Sequence, residues 1–428
     1  MTIIKPFRGY RYNPKTVGDL SKAITPPYDV INAKQQASYY KAHPCNFIRL
    51  DLGKTFPKDN KKNNRYTRAK EFLEQWIDND VLVRDPRESV YVYDQEYADC
   101  GEKKHRLGFI SLARLEEDRT KGFLPHERTF KGPKLDRLNL MKETGANLSP
   151  IFSIVIDENK KVINILRDFA IKNRPAVDVR FEGTRNRIWL MSEAATIGRL
   201  QRSVKSKRAL IADGHHRYEV ALEYNKYMLE HTKAPGTGAL NYVMMYFATS
   251  DPSGLTILPT HRMVEGLPPG PFRKYLDKIE KFFDIIHLDS KEKMFARMKA
   301  DRKHTIGVYR GGREYFCLSL KRRDAGGLIK SANSGYWRNL DVVILHHLVF
   351  EKALGIKGEK AEKLISFTRD PRVAFEWASL GNGRAAFFLN PPAFDEIKNI
   401  VKRQERMPHK TTYFYPKPPS GLVINKIN

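Results

Sequence analysis

The chain has 428 residues, 41% of them hydrophobic, with 76 Lys and Arg against 49 Asp and Glu for a formal net charge of +27. That length accommodates two or three domains with real cores, and the charge points to an anionic partner. Cys45, Cys100 and Cys317 are too few and too scattered for a disulfide framework or a cysteine-built zinc site. No apolar run reaches the roughly 18 residues of a membrane span and Met1–Gly9 lacks a signal-peptide core, so a soluble, cytoplasmic protein without a membrane partner is expected.

From Phe7 to Asn32 the sequence is loop-rich and ends in Ile24-Thr25-Pro26-Pro27-Tyr28-Asp29-Val30-Ile31. Two prolines force an extended path before Tyr28 and Asp29 and make a rigid loop with polar, binding-competent tips; the alternative is a helix lead-in capped by Asp29. Asn46–Leu52 alternates like a half-buried strand, with Arg49 and Asp51 on one face. A helix follows over about Asn63–Asp80, with Ala69, Phe72, Leu73, Trp76 and Ile77 on its apolar stripe. Val90–Tyr97 and Arg106–Leu112 read as paired strands.

Next comes a polar, proline-punctuated stretch: Leu124-Pro125-His126-Glu127-Arg128-Thr129, Pro133-Lys134-Leu135-Asp136-Arg137-Leu138 and Ala146-Asn147-Leu148-Ser149-Pro150-Ile151-Phe152. Loops of this kind between strands serve sites. Glu127 is the candidate general base, His126, Asn147 and Ser149 are candidate substrate contacts, and Lys134 and Arg137 are candidate phosphate or carboxylate partners. A surface ion-pair network explains the same residues.

Residues 157–207 read as helix, strand pair (Val177–Phe181, Arg187–Leu190) and helix, leading into Ala209-Leu210-Ile211-Ala212-Asp213-Gly214-His215-His216-Arg217-Tyr218. Here an apolar strand passes through a glycine into a helix start, where open backbone N–H groups and the positive helix end meet two imidazoles and a guanidinium. Asp213, Gly214, His215, His216 and Arg217 therefore form the strongest phosphate-site candidate; the alternative is that Asp213 only caps the helix. Asn241–Thr249 reads as a deep strand. Leu255–Arg262 reads as another, ending in His261 and Arg262 as further site candidates.

Pro268-Pro269-Gly270-Pro271 is the clearest linker. Beyond it a smaller α+β unit is expected: a helix (Phe272–Phe283), a strand (Phe283–Leu288), a helix (Lys291–Ala300), a hairpin turned at Gly311-Gly312, a helix from Asp341 to about Gly355, a buried strand (Ala385–Leu389) and a helix (Ala393–Glu405). His346 and His347 fall about 100° apart on their helix and do not share a metal. The terminal Met407-Pro408-His409-Lys410-Thr411-Thr412-Tyr413-Phe414-Tyr415-Pro416-Lys417 is expected to pack back on the body, with Lys410, Thr411 and Lys417 lining the site. The domains are thus a core over 1–265, an α+β unit over 266–406 and a C-terminal segment over 407–428. The basic runs Lys205-Ser206-Lys207-Arg208 and Lys321-Arg322-Arg323 are short and lack interleaved aromatics, so no specific nucleic-acid reader is expected. The Walker phosphate loop, G-x-G-x-x-G and H-E-x-x-H are absent.

Together, Pro26–Ile31, Pro125–Thr129, Ala146–Pro150, Ala212–Tyr218, Leu258–Arg262 and Met407–Lys417 resemble the family called domain of unknown function 1015, over about Pro6–Val423. More faintly, Asp213–Arg217 is similar to the phosphate-binding turn of the ParB/sulfiredoxin-like fold, whose members include nucleotide-hydrolysing ParB proteins and ADP-dependent free-serine kinases. That resemblance implies an α/β to α+β fold with a mixed-sheet core carrying the turn. It implies that Asp213, His215, His216 and Arg217 hold phosphates and magnesium (Mg2+, with Asp213 as ligand), that ADP or ATP is bound, and that Glu127 is the base. Family members tend to be encoded near serine-biosynthesis genes, which favours serine or phosphoserine as substrate.

Three functions follow. The first is phosphoryl transfer, as a kinase or phosphatase, on a small anionic or hydroxyl-bearing metabolite; it needs charge neutralisation and positioning more than a covalent group. The second is a metal-dependent hydrolase with His126, Asp213, His215 or His216, and His261 as ligands. The third is a nucleotide- or nucleic-acid-binding regulatory protein.

Overall fold

The structure is a computed structural model that describes every residue except 100, 117–121, 128–130, 232–237, 268–272, 302, 323, 382 and 428. Cys100, Arg128, Thr129, Arg323 and the Pro268–Pro271 linker lie outside the described residues. The chain forms two compact units, one of Met1–Thr256 with Pro416–Asn428 and one of Ile257–Tyr415. The division falls ahead of the proline stretch, and the terminal residues return to the first unit only from Pro416.

The first unit is built on a nine-stranded mixed sheet. Its strands are β1 (Ile4–Lys5), β2 (Val90–Asp99), β3 (Glu102–Arg114), β4 (Phe123–Pro125), β5 (Ile151–Val155), β6 (Val177–Phe181), β7 (Thr184–Met191), β8 (Ala209–Asp213) and β9 (Tyr242–Thr249). Their order is β4-β8-β5-β9-β3-β2-β7-β6, with β1 beside β3. The β4–β8 and β5–β9 pairs are parallel and the other neighbours antiparallel. β5, β8 and β9 read as continuous apolar runs because both faces of the sheet are covered. Five longer helices belong to this unit: α1 (Arg65–Asp78), α2 (Lys131–Thr144), α3 (Lys161–Lys172), α4 (Ala194–Lys205) and α5 (His215–His231).

One face of the sheet carries Val90, Val92, Phe109, Ile151, Trp189, Ile211, Met245 and Phe247, packed with Val162 and Leu166 of α3 and Ile197, Leu200 and Val204 of α4. Tyr91 and Tyr93 alternate to the other side of β2, as period-two geometry requires. On that side the fully buried Arg106 donates to the Gln95 side chain and the Pro416 carbonyl, and its guanidinium lies 4.6 Å from the centre of the Phe152 ring. The returning terminus is paired further by Ile424 with Tyr10, Ser420 with Thr25, and Asn425 with Asn147.

Two local expectations are corrected. Asn46–Leu52 is not a strand: Ile48–Asp51 forms one helical turn, started by the Asn46 side-chain Oδ1 accepting Ile48 N–H at 2.9 Å. At 100° per residue, Arg49 and Asp51 then diverge instead of sharing a face. Pro133–Leu138 is not a loop but lies within α2, with Pro133 in the first turn, where its missing N–H costs nothing. The helix hides there because its apolar anchors, Leu138 and Met141, come late and pack against Val220 and Tyr224 of α5.

The second unit is an antiparallel six-stranded sheet ordered β11-β13-β12-β15-β10-β14. These are β10 (His261–Val264), β11 (Phe283–Leu288), β12 (Thr305–Tyr309), β13 (Tyr315–Leu320), β14 (Ile365–Thr368) and β15 (Ala385–Phe388). Met294 and Met298 of the Lys291–Asp301 helix and Ala374 and Ala378 of the Pro371–Ser379 helix close its core. No helix among the described residues is long and apolar enough to cross a membrane.

Candidate functional site

Parallel pairing of β4 with β8 brings their carboxyl ends to one edge, and antiparallel β5 starts at that same edge behind Ser149-Pro150. Loops at the carboxyl ends of parallel strands are where open sheets place ligands. His126-Glu127 leave β4 there, and Asp213-Gly214 leave β8. Gly214 takes φ +87°, and an added Cβ would sit 2.9 Å from Arg217 Nε, because Arg217 folds back over the turn. Glycine is thus required for the left-handed backbone, and the Arg217 side chain fills the space left by its missing Cβ. The first helical bond of α5 runs from Tyr218 N–H to the Gly214 carbonyl (3.0 Å), which leaves the N–H groups before it at the helix mouth.

Around this mouth the cations are organised by Asp213. One carboxylate oxygen accepts Lys417 Nζ at 2.6 Å and the other accepts Arg217 Nη2 at 2.7 Å. Arg217 Nη1 also donates to Ser149 Oγ (3.1 Å) and the Pro150 carbonyl (2.6 Å). Burial alone would raise the Asp213 carboxyl, but Lys417 and Arg217 outweigh it and hold it down to about 2. Its carboxylate therefore serves side chains 4 and 204 residues away rather than acting only as a helix cap.

Tyr28-Asp29 form a 3-10 turn after the two prolines, and the next helix is capped by Asn32, not Asp29. Asp29 is open to solvent on one side yet crowded by protein on the other. Desolvation first, and the Asp213 charge second, raise its carboxyl above the ordinary range. Tyr28 lies under Arg137, whose guanidinium carbon is 3.9 Å from the ring centre. Burial pushes the Tyr28 hydroxyl up to about 12 against the pull of Arg137. Arg137 itself pairs with Asp51 (2.8 Å) and Asp136 (2.7 Å), and Asp136 also accepts from Arg65 and from the Tyr66 hydroxyl (2.8 Å). Asp51, Arg137, Asn147, Ser149 and Arg217 line a cavity of about 40 Å³, room for roughly three waters at ~10–15 Å³ each. A larger ligand has to lie across the turn, not within this cavity.

His126 Nδ1 donates to the Ile211 carbonyl at 2.8 Å, and its Nε2 lies 4.0 Å from Glu127 Oε1. The buried His215 Nε2 accepts the His126 backbone N–H at 3.3 Å, and the two rings meet edge-on with centres 4.7 Å apart. Burial lowers the His216 imidazole, with Glu219 and then Asp213 opposing. Lys134 pairs with Glu219 at 3.3 Å.

The structure therefore brings together Tyr28, Asp29, His126, Glu127, Arg137, Ser149, Asp213, Gly214, His215, His216, Arg217 and Lys417, with Lys134 of α2 pairing with Glu219 one turn along α5. Asn147 is beneath them, its side-chain oxygen accepting Met244 N–H (3.1 Å) and the Asn425 side chain (3.0 Å). Arg49 is placed elsewhere: it donates to the His43 and Tyr40 carbonyls (2.9 and 3.0 Å). His261, Lys410 and Thr411 belong to the second unit. His261 is the first residue of β10, and its Nδ1 accepts Leu389 N–H at 3.3 Å. The Lys410 carbonyl accepts Arg262 Nη2 at 3.0 Å, and Thr411 Oγ1 donates to the Pro408 carbonyl at 2.5 Å. Asp51, Asp136 and Arg65 were not legible as site residues: each pairs across some 70 to 86 positions, and no local spacing signals that.

Among the described residues no group of three His, Cys, Asp or Glu side chains is arranged to hold a metal ion. Each Asp213 oxygen already accepts from one cation, so a magnesium ion there would share the carboxylate with Lys417 and Arg217 and be repelled by both. The donor set does not fit such an ion as it stands.

Among solved structures, SbnI with C-terminal truncation from Staphylococcus aureus is similar at TM-score 0.37 and 12% identity over 74% of this chain and 87% of that one. A free serine kinase mutant in complex with ADP follows at 0.35 and 13%, over 71% and 89%. A conserved hypothetical protein from Pyrococcus furiosus follows at 0.33 and 13%, over 72% and 93%. No curated protein matches the chain. The family described as Protein of unknown function (DUF1015) matches residues 4–343, the stretch that holds every element of the site except Lys417. The chain belongs to that family.

Proposed function

We propose that the first unit is a phosphoryl-transfer enzyme that seats a nucleotide or phospho-metabolite on the Gly214–Arg217 turn and acts on a small hydroxyl-bearing or phosphorylated metabolite, serine or phosphoserine being the leading candidates. One observation carries this reading. Arg217, Lys417 and the mouth of α5 converge on a glycine turn at the carboxyl edge of parallel strands, which is an anion seat with the charge to neutralise a phosphate. A phosphate arriving there competes with Asp213 for Lys417 and Arg217, so the ion pairs keep both cations placed until a ligand takes them over. Glu127 follows β4 at the same edge and takes the proton of the attacking hydroxyl or water. His126, fixed by the Ile211 carbonyl, sets the position of that carboxylate. No step is assigned to a metal ion. The reading rests on the site itself, not on the structural likenesses.

The metal-hydrolase alternative gains nothing from the geometry, since Asp213 is paired with two cations and no group of three ligating side chains is arranged to hold a metal among the described residues. Single-turnover assays with ATP, ADP or phosphoserine test the proposal. Glu127→Gln should lower the rate about 10²–10⁴-fold while leaving ligand affinity nearly unchanged. Equal turnover by the variant would remove Glu127 from the chemistry.

A further inference from the structure

Helices α3 and α4 pack side by side on the sheet, with their apolar stripes turned inward. Above that contact runs a groove of two adjoining hollows, about 500 and 480 Å³, which share Ile165, Asp168 and Arg199. It shares no residue with the Asp213 site. We infer that the first hollow is a second ligand site, one that takes a compact anion carrying two or more phosphate groups.

The charge distribution carries this inference. Lys161 on α3 and Arg199 and Arg202 on α4 line the first hollow, the two arginines three residues apart and hence neighbours on one helix face. None of these three cations has an ion-pair partner among the described residues. Lys207, on the same wall, is already held by Asp157 (2.9 Å) and Asn159 (2.8 Å). Asp168 is the one acidic lining residue, so the hollow presents an uncompensated positive charge in a concave setting where phosphate oxygens can be forked by arginine. No aromatic side chain lines it, so recognition is by charge and not by base stacking. The second hollow is balanced, with Lys172 and Arg199 against Asp168 and Glu193. A phosphate polymer running on into the second hollow would meet Glu193 as well as Asp168, whereas a compact anion in the first hollow meets Asp168 alone. The linear sequence hides this feature, because the cations come from segments about 40 residues apart.

Calorimetric titration of the full chain with inorganic tripolyphosphate tests the site. Arg199→Glu with Arg202→Glu should remove one binding equivalent or weaken it about tenfold or more, as expected for losing two charge-assisted contacts. Arg167→Glu with Lys205→Glu makes the same change of net charge on exposed residues outside the groove and should leave binding within about twofold. Equal weakening by both pairs would show that diffuse surface charge binds the probe and would overturn the site. So would unchanged binding in the groove variant, or no binding by the wild type. Tighter binding of a DNA duplex than of tripolyphosphate, lost with the groove pair, would overturn the compact-anion assignment.

Discussion

At the residue scale the site turns on Asp213. Its carboxyl is held well below the ordinary 3.8, at about 2, by Lys417 and Arg217. A group whose folded-state pKa is depressed stabilises the fold above its unfolded value and loses that contribution as pH falls through the folded one, here between about pH 4 and 2. Lys417→Met leaves Asp213, 15% exposed, with one cation instead of two, and should destabilise the first unit by roughly 2 kcal/mol at neutral pH. Urea unfolding followed from pH 6 to 2 checks this: the acid-driven loss should begin at higher pH in the variant. Coincident wild-type and variant curves would mean that Lys417 does not hold the carboxylate. The sequence made Asp213, Gly214 and Arg217 legible because strand, glycine and helix start are contiguous. It did not reveal that Asp213 organises two cations, since Lys417 arrives from 204 positions away.

At the element scale, the site depends on how the terminal segment is pinned. Arg106 is fully buried in β3 and donates to the Pro416 carbonyl, one residue before Lys417. Arg106→Met should cost about 2 kcal/mol through lost charge-assisted hydrogen bonds, partly offset by relief of a buried charge. It should also speed amide exchange over residues 420–427, which pair with Thr25, Tyr10 and Asn147. Unchanged exchange there would show that strand pairing alone docks the segment. The same scale explains what sequence periodicity could and could not deliver. The β2–β3 hairpin, α1 and the β8–α5 unit follow their repeats closely. The alternation at Asn46–Leu52 misled because Asn46 bonds its own chain two residues on and starts a turn instead. Pro133 misled because a first-turn proline punctuates without ending the helix.

At the scale of the whole molecule, each sheet has an order that local patterns do not encode. Parallel pairing of β4 with β8 and antiparallel pairing of β8 with β5 join segments distant in the chain and bring His126-Glu127, Ser149 and Asp213-Gly214 to one edge. His261, a further candidate from the sequence, lies in the second unit's antiparallel sheet. The net charge of +27 acquires a partial structural meaning, since some of it collects in the α3–α4 groove. The central claim is that the Gly214–Arg217 turn binds phosphate. Its most direct test is a calorimetric binding panel of ADP, ATP, phosphoserine and serine on the wild type, Arg217→Met and His216→Ala, with folding confirmed for each. The account predicts that at least one phosphate-bearing ligand binds and that Arg217→Met weakens it about tenfold or more. Absence of binding by every phosphate ligand, or affinity undiminished in Arg217→Met, would contradict it.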